Sequence, residues 1–182
     1  MVDGGAEIGA SWLNRWDSLK LFTPTEYNNL PGLKFDTPKG YYPNKFEVAN
    51  YFKSYVDHYE IPLQFNTLIT SVVKSEKGFF TLTHSEGEIQ TKNIIVATGP
   101  FHTPYTPPCH TKLSSEITQM HSNFYKSLHQ LQEGDALVVG GGDSGYQILD
   151  EISKNKSITV YFSGLINVKS IPQQFLGKTI WW

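Results

Sequence analysis

Asp135-Ala136-Leu137-Val138-Val139-Gly140-Gly141-Gly142-Asp143-Ser144-Gly145 is the stretch on which the fold of this sequence turns. Residues 135–139 form a short apolar run of the kind a buried parallel strand shows. Residues 140–145 match G-x-G-x-x-G. The first glycine permits a tight turn, the second lets backbone approach a pyrophosphate, and the third lets the following helix pack closely on the strand. Residues 143–154 then place Ile148, Leu149 and Ile152 on one helical face, and residues 157–162 read as the next strand. Strand, glycine turn, helix and strand in this order open a βαβ unit. The pattern alone is common, but in this setting it is a dinucleotide cradle, because the helix N-terminus offers free N–H groups to phosphates.

The second strand addresses which dinucleotide. An NAD site wants Asp or Glu near its end, to hold the ribose hydroxyls. Here the strand ends Tyr161-Phe162-Ser163-Gly164, without an acid. That points to NADP. The arginine usual for a 2′-phosphate is also absent at this place, leaving Ser163 as one donor and Lys169 as the nearest downstream cation.

Working back toward the N-terminus, residues 101–110 carry Pro104, Pro107 and Pro108, a linker composition. Before it, residues 93–97 (Asn-Ile-Ile-Val-Ala) read as a buried strand ending in Thr98-Gly99-Pro100. Residues 68–73, 79–83 and 87–90 read as an antiparallel meander with turns at Lys77-Gly78 and Glu86-Gly87, and residues 63–65 as a short strand. A helix opens after Pro43, with Asn44 as cap and Glu47 closing a capping box. Val48, Phe52, Tyr55, Val56 and Tyr59 fall on its expected buried face, and Pro62 stops it. Residues 9–32 form an aromatic, proline-bearing loop, and Met1-Val2-Asp3 reads as the end of a strand.

Composition sets the outer limits. The 182 residues are 39% hydrophobic and 18% charged, as expected of a globular chain, with a net charge of -2 that offers no basic field to nucleic acid. No apolar run approaches the roughly 20 residues that span a bilayer. Asp3 and Glu7 stand where a signal peptide would be basic and then apolar, so a cytoplasmic location is expected. One cysteine, Cys109, permits neither an internal disulfide nor a Cys-x-x-Cys redox pair, and the six histidines show no metal-ligand spacing.

Taken in order, Gly9-x-Ser11-Trp12, Arg15-Trp16-Asp17-Ser18-Leu19, Leu21-Phe22-Thr23-Pro24, Leu30-Pro31-Gly32, Tyr42-Pro43, Ala97-Thr98-Gly99-Pro100, His121-Ser122 with Tyr125, and the glycine turn at 140–145 form a series. The series resembles bacterial flavin-containing monooxygenase-like oxidoreductases, which use FAD and NADP, and the resemblance runs over essentially the whole chain. It implies that Asp3 bonds the adenosine ribose of FAD. Gly9, Trp12 and Arg15 would lie on the flavin side, Val72 would hold the adenine through backbone groups, and Thr98-Gly99 would pass close to the cofactor. Gly140, Gly142, Asp143, Ser144 and Gly145 would cradle the nicotinamide dinucleotide. His121 would organise the nicotinamide domain without acting as acid or base.

The chain also departs from that pattern. In the fingerprint F-x-G-x-x-x-H-x-x-x-F/Y, Ser115 and Ile117 stand at the Phe and Gly places, and Phe22 takes the place of an asparagine beside the flavin. These departures put substrate oxygenation in question.

The expectation is an α/β chain of two incomplete Rossmann-type dinucleotide-binding domains. Residues 1–105 would form a partial FAD-binding domain carrying the meander and lacking its first strand and phosphate loop, and residues 106–182 a partial NAD(P)-binding domain. The sequence would then be truncated at both ends. The implied chemistry is NADPH-to-FAD hydride transfer followed by oxygenation of a small nucleophilic substrate. A reductase or disulfide-type flavoenzyme of the same two-domain plan would need a Cys-x-x-Cys pair, which Cys109 alone does not supply, while a non-catalytic remnant and an NADP-binding module that is not competent alone stay open.

Overall fold

The computed structural model describes residues 1–99 and 103–164, together with the backbone of residues 174–175 and 178–179. Its elements are α1 (Ala10–Leu13), α2 (Lys45–His58), β1 (Ser71–Lys74), β2 (Phe80–His84), β3 (Gly87–Thr91), β4 (Ala136–Val139), α3 (Asp143–Ser153), β5 (Val160–Ser163), β6 (Gln174–Phe175) and β7 (Lys178–Thr179). The chain divides into two compact units. One comprises Met1–Ser11 and Ala49–Pro104, the other Trp12–Val48 and Tyr105–Trp182.

In the first unit the expected meander forms as an antiparallel sheet in the order β1-β2-β3. The register sets Val72 opposite Leu82 and Leu82 opposite Ile89. Leu82 is buried on that shared face. Gly78 and Gly87 have positive φ, which the two connecting turns require. Val2 pairs with Gln64 in a single parallel bridge, so the expected strand at residues 63–65 is reduced to one ladder step.

Residues 93–97 differ from expectation. They form no strand, and Ile95 and Val96 are 92% and 77% exposed. A strand needs a neighbour to accept and donate its backbone hydrogen bonds, and no strand among the described residues lies beside this one. An apolar run thus stays outside any sheet and largely exposed. Pro100 and His102 lie outside the described residues.

Helix α2 begins as its sequence dictates. The Asn44 side-chain oxygen accepts the N–H groups of Phe46 and Glu47 at 2.9 and 3.0 Å, and Glu47 returns a bond to the Asn44 N–H at 2.8 Å. This reciprocal cap satisfies N–H groups that a helix start otherwise leaves open. Its burial is not the expected stripe. Val48, Ala49 and Tyr51 are buried, Phe52, Tyr55 and Val56 are half-buried, and Tyr59 is exposed. Cover is lost toward the C-terminal end, where the rings of Tyr55 and Tyr59 meet at a tilt, with centres 4.7 Å apart.

In the second unit β4 and β5 pair in parallel, with Ala136 opposite Val160 and Val139 opposite Ser163, and α3 connects them. This is the expected βαβ opening. Ile148 and Ile152 of α3 are buried with Trp16, Leu19 and Tyr125, and Ala136, Val138, Ile158 and Val160 pack against that cluster. Each fully buried aliphatic side chain contributes about 1.5–3 kcal/mol, so the cluster holds residues 16–19, residue 125 and α3 together. The other face of the sheet is open, with Leu137 and Val139 62% and 67% exposed.

Candidate functional site

The glycine turn follows β4 directly. Gly140 has φ +114°, a conformation that a side chain rarely adopts, and its N–H donates to the Ser163 carbonyl at 2.8 Å. A Cβ on Gly145 would lie 2.0 Å from the Gly140 carbonyl oxygen. The start of α3 is therefore folded hard against the turn, the close approach that the third glycine of such a motif permits. Gly142 is the N-cap, in extended conformation, and no side chain among the described residues caps the helix. A Cβ on Gly142 would meet nothing within 4 Å. The first-turn N–H groups, those of Asp143, Ser144 and Gly145, thus face a helix end without a side-chain acceptor, where the dipole favours an anion. These residues fit a pyrophosphate.

The end of β5 adjoins the turn, as the motif requires. A Cβ on Gly164 would come 3.3 Å from the Gly141 Cα. Ser163 is exposed at this place, and the ring of Phe162 lies 5.2 Å from that of Tyr146 on α3. Lys169 lies outside the described residues.

A second cluster in the same unit surrounds Arg15. Its guanidinium Nη1 donates to the Asn123 side-chain oxygen at 2.5 Å. The Asn123 N–H donates to His121 Nδ1 at 3.1 Å. Lys45, only 3% exposed, donates to the Asp17 carboxylate and to the Arg15 carbonyl, each at 2.8 Å. Asp17 N–H donates to the Lys126 carbonyl at 2.8 Å, and the Lys126 ammonium reaches the Asn14 carbonyl. Trp12 is half-buried against the hydrophobic cluster. Tyr125 is buried, and its hydroxyl meets no hydrogen-bond partner of good geometry among the described residues. Burial first, and then the nearby charge of Glu151, raises its pKa above the ordinary tyrosine value.

The remaining sequence-derived candidates lie in the first unit. Asp3 is exposed at the end of the bridged N-terminal segment, and its carboxylate accepts the Gly5 N–H at 2.7 Å. Gly9 has φ +78°, and a Cβ there would lie 2.7 Å from the Ala49 Cβ, so its glycine is explained by close packing on α2. Val72 sits on β1, half exposed, and Thr98 and Gly99 are exposed in the segment without regular structure. Phe22, in the second unit, is exposed.

Sequence reasoning missed Lys45 and Asn123. Lys45 looked like an ordinary first-turn helix cation, and Asn123 lay unmarked between His121 and Tyr125. One signal was present: Arg15 is the only arginine in the sequence.

The model of the pyridine nucleotide-disulphide oxidoreductase family matches residues 2–173. The chain belongs to that family. Within it, the chain is 43% identical over its whole length to a Bacillus subtilis (strain 168) protein named "Uncharacterized oxidoreductase CzcO", covering 52% of that protein. It is 34% identical to "Probable indole-3-pyruvate monooxygenase YUCCA1" of Arabidopsis thaliana, over 97% of this chain and 44% of the plant protein. Among solved structures, a flavin-containing monooxygenase from Stenotrophomonas maltophilia superposes with a TM-score of 0.77 at 28% identity, over 88% of this chain and 49% of that one.

The chain thus spans about half the length of the curated relatives it matches. The resemblance to flavin-containing monooxygenases read from the sequence holds, and the fold is the mixed α/β arrangement of such proteins. The family implies FAD, with NADP(H) as its usual partner. No helix among the described residues is long and apolar enough to cross a membrane.

Proposed function

We propose that the chain serves a flavoprotein oxidoreductase that passes a hydride from NADPH to FAD and oxygenates a small nucleophilic substrate. Residues 1–105 belong to its FAD-binding domain and residues 106–182 to its NAD(P)-binding domain. The cofactors, when bound, supply the redox chemistry, and the protein supplies binding, orientation and field. Gly140 makes the tight turn that brings backbone close to the pyrophosphate of NADP, and the backbone N–H groups at Gly142, Asp143, Ser144 and Gly145 hold it. Ser163 donates toward the adenosine 2′-phosphate, where an acid would have favoured NAD. Asp3 accepts a ribose hydroxyl of FAD. Gly9, Trp12, Arg15, Val72, Thr98 and Gly99 line the flavin dinucleotide, with Arg15 as the cation of the set.

The observation that carries this reading is the packed turn, with Gly145 folded onto the Gly140 carbonyl and an uncapped α3 beyond it. Its test is amide-resolved NMR during titration with NADP+ and NAD+. Perturbation centred on residues 140–145, at lower concentration for NADP+, supports it. Titrations that leave those amides unmoved overturn it. For the oxygenation step, NADPH oxidation by the full protein should be matched by oxygen uptake and an oxygenated product. Oxidation that yields only hydrogen peroxide would assign an oxidase instead.

A second reading, a nucleotide-binding module that does not turn over alone, is favoured by the open apolar faces at Leu137 and Val139 and at Ile95 and Val96. Under it the chain binds NADP+ but neither retains FAD nor consumes NADPH.

A further inference from the structure

Arg15 is the only arginine in the sequence, and it forms no ion pair among the described residues. The nearest carboxylate in sequence, Asp17, is committed elsewhere. Its Oδ1 is 2.8 Å from the buried Lys45 ammonium, which also holds the Arg15 carbonyl. The Arg15 guanidinium itself is held by the neutral amide oxygen of Asn123. A carboxylate in that place would orient the guanidinium and cancel its charge, whereas an amide oxygen orients it and leaves the charge in place. A guanidinium carries five N–H donors in a planar fork suited to phosphate or carboxylate oxygens.

The frame around it is tied at both ends. Asp17 N–H bonds to the Lys126 carbonyl, and the Lys126 ammonium bonds to the Asn14 carbonyl. Asn123 is set in turn by His121, whose Nδ1 accepts its backbone N–H.

We propose that Asn123 and the Lys45–Asp17 pair are positioning residues that keep Arg15 oriented and uncompensated for an anionic group of the flavin dinucleotide, with His121 as the acceptor that sets Asn123. This rests on the flavin-side placement of Arg15 proposed above. It gives His121 a hydrogen-bonding role in place of an acid–base one. It also gives the buried lysine a role: Lys45 holds the carboxylate nearest to Arg15 in sequence.

The single arginine makes the test direct, because a sample labelled with 15N-arginine shows the guanidinium Nη signal of one side chain, the group bonded to Asn123. In the wild-type chain that signal should be shifted from the free-arginine position and slow to exchange, and FAD should move it. Asn123→Ala should return it to the free position. Asn123→Asp should keep it shifted yet weaken FAD about tenfold, the loss of one charge-assisted hydrogen bond. His121→Asn, whose amide oxygen can accept the same N–H as an Asx turn does, should preserve both properties, and His121→Leu should lose both.

Amide spectra of each variant establish that it is folded. A wild-type signal at the free position overturns the positioning role. An Asn123→Asp variant that binds FAD as well as wild type overturns the role of the charge. Titrations with NADP+ and inorganic pyrophosphate separate the occupant from the frame: a held signal that moves with NADP+ and not with FAD sinks the flavin-side placement, and with it this occupant. A held signal that none of the three ligands moves sinks the anion role altogether.

Discussion

Replacing Gly145 by alanine places a methyl carbon 2.0 Å from the Gly140 carbonyl oxygen and 3.2 Å from its carbonyl carbon. That is roughly 1.5 Å inside ordinary van der Waals contact. The obstruction is backbone, so no rotamer change relieves it, and either the turn or the first turn of α3 must move. Overpacking of this kind costs about 1–3 kcal/mol, and a backbone obstacle belongs at the upper end. For a chain of this size each kcal/mol lowers the melting temperature by about 2–4 °C, so a fall of roughly 5–10 °C is expected. Displacing the helix start also spoils the phosphate cradle, so NADP+ affinity should fall together with stability.

Two neighbouring glycines separate the causes. Gly142→Ala meets nothing within 4 Å and should cost under about 1 kcal/mol, the usual loss at an N-cap. Yet its methyl stands on the open side of the turn, so NADP+ binding should weaken with stability nearly intact. Gly140→Ala also has open space, but at φ +114° it should cost about 1–3 kcal/mol in backbone strain. Thermal unfolding followed by circular dichroism gives the stabilities, and calorimetric titration with NADP+ gives the affinities. A Gly145→Ala chain that melts within about 1 °C of wild type and binds NADP+ equally would refute the packed-turn argument.

Asp17→Asn leaves the Lys45 ammonium buried without its counter-ion, for a loss of about 3 kcal/mol in urea unfolding, whereas Lys45→Met frees an Asp17 that is already 62% exposed and should cost clearly less; equal losses would refute this asymmetry. Asn44→Ala removes the acceptor for two N–H groups at the start of α2 and should cost about 1 kcal/mol by the same measurement, while an unchanged midpoint would mean the cap does not stabilise the fold. Tyr125 has a pKa raised above its ordinary value of about 10, so below that pH neither state ionises, and above it the unfolded chain loses a proton that the folded chain keeps. Stability should therefore fall as pH rises beyond about 10; Tyr125→Phe removes this component and should move the alkaline unfolding midpoint upward, and superimposable wild-type and variant curves would refute it.

The amino-acid order by itself determined what is local. Glycine spacing after an apolar run specified the turn at residues 140–145, because backbone conformation and close approach there exclude a side chain. Asn44 and Glu47 specified the start of α2, since a capping box needs only residues three apart. The alternation and turn residues of 71–91 specified the meander, whose strands pair with sequence neighbours. Only the tertiary structure decided what depends on distant partners. Residues 93–97 have a strand's composition, yet they stay exposed because nothing among the described residues pairs with them. Lys45 is buried where it bonds to Arg15 and Asp17, and the Arg15 guanidinium is held by an amide oxygen from a residue more than a hundred positions away. A periodic pattern reports which way a side chain faces along its own element. It carries no record of what another part of the chain will bring to meet it.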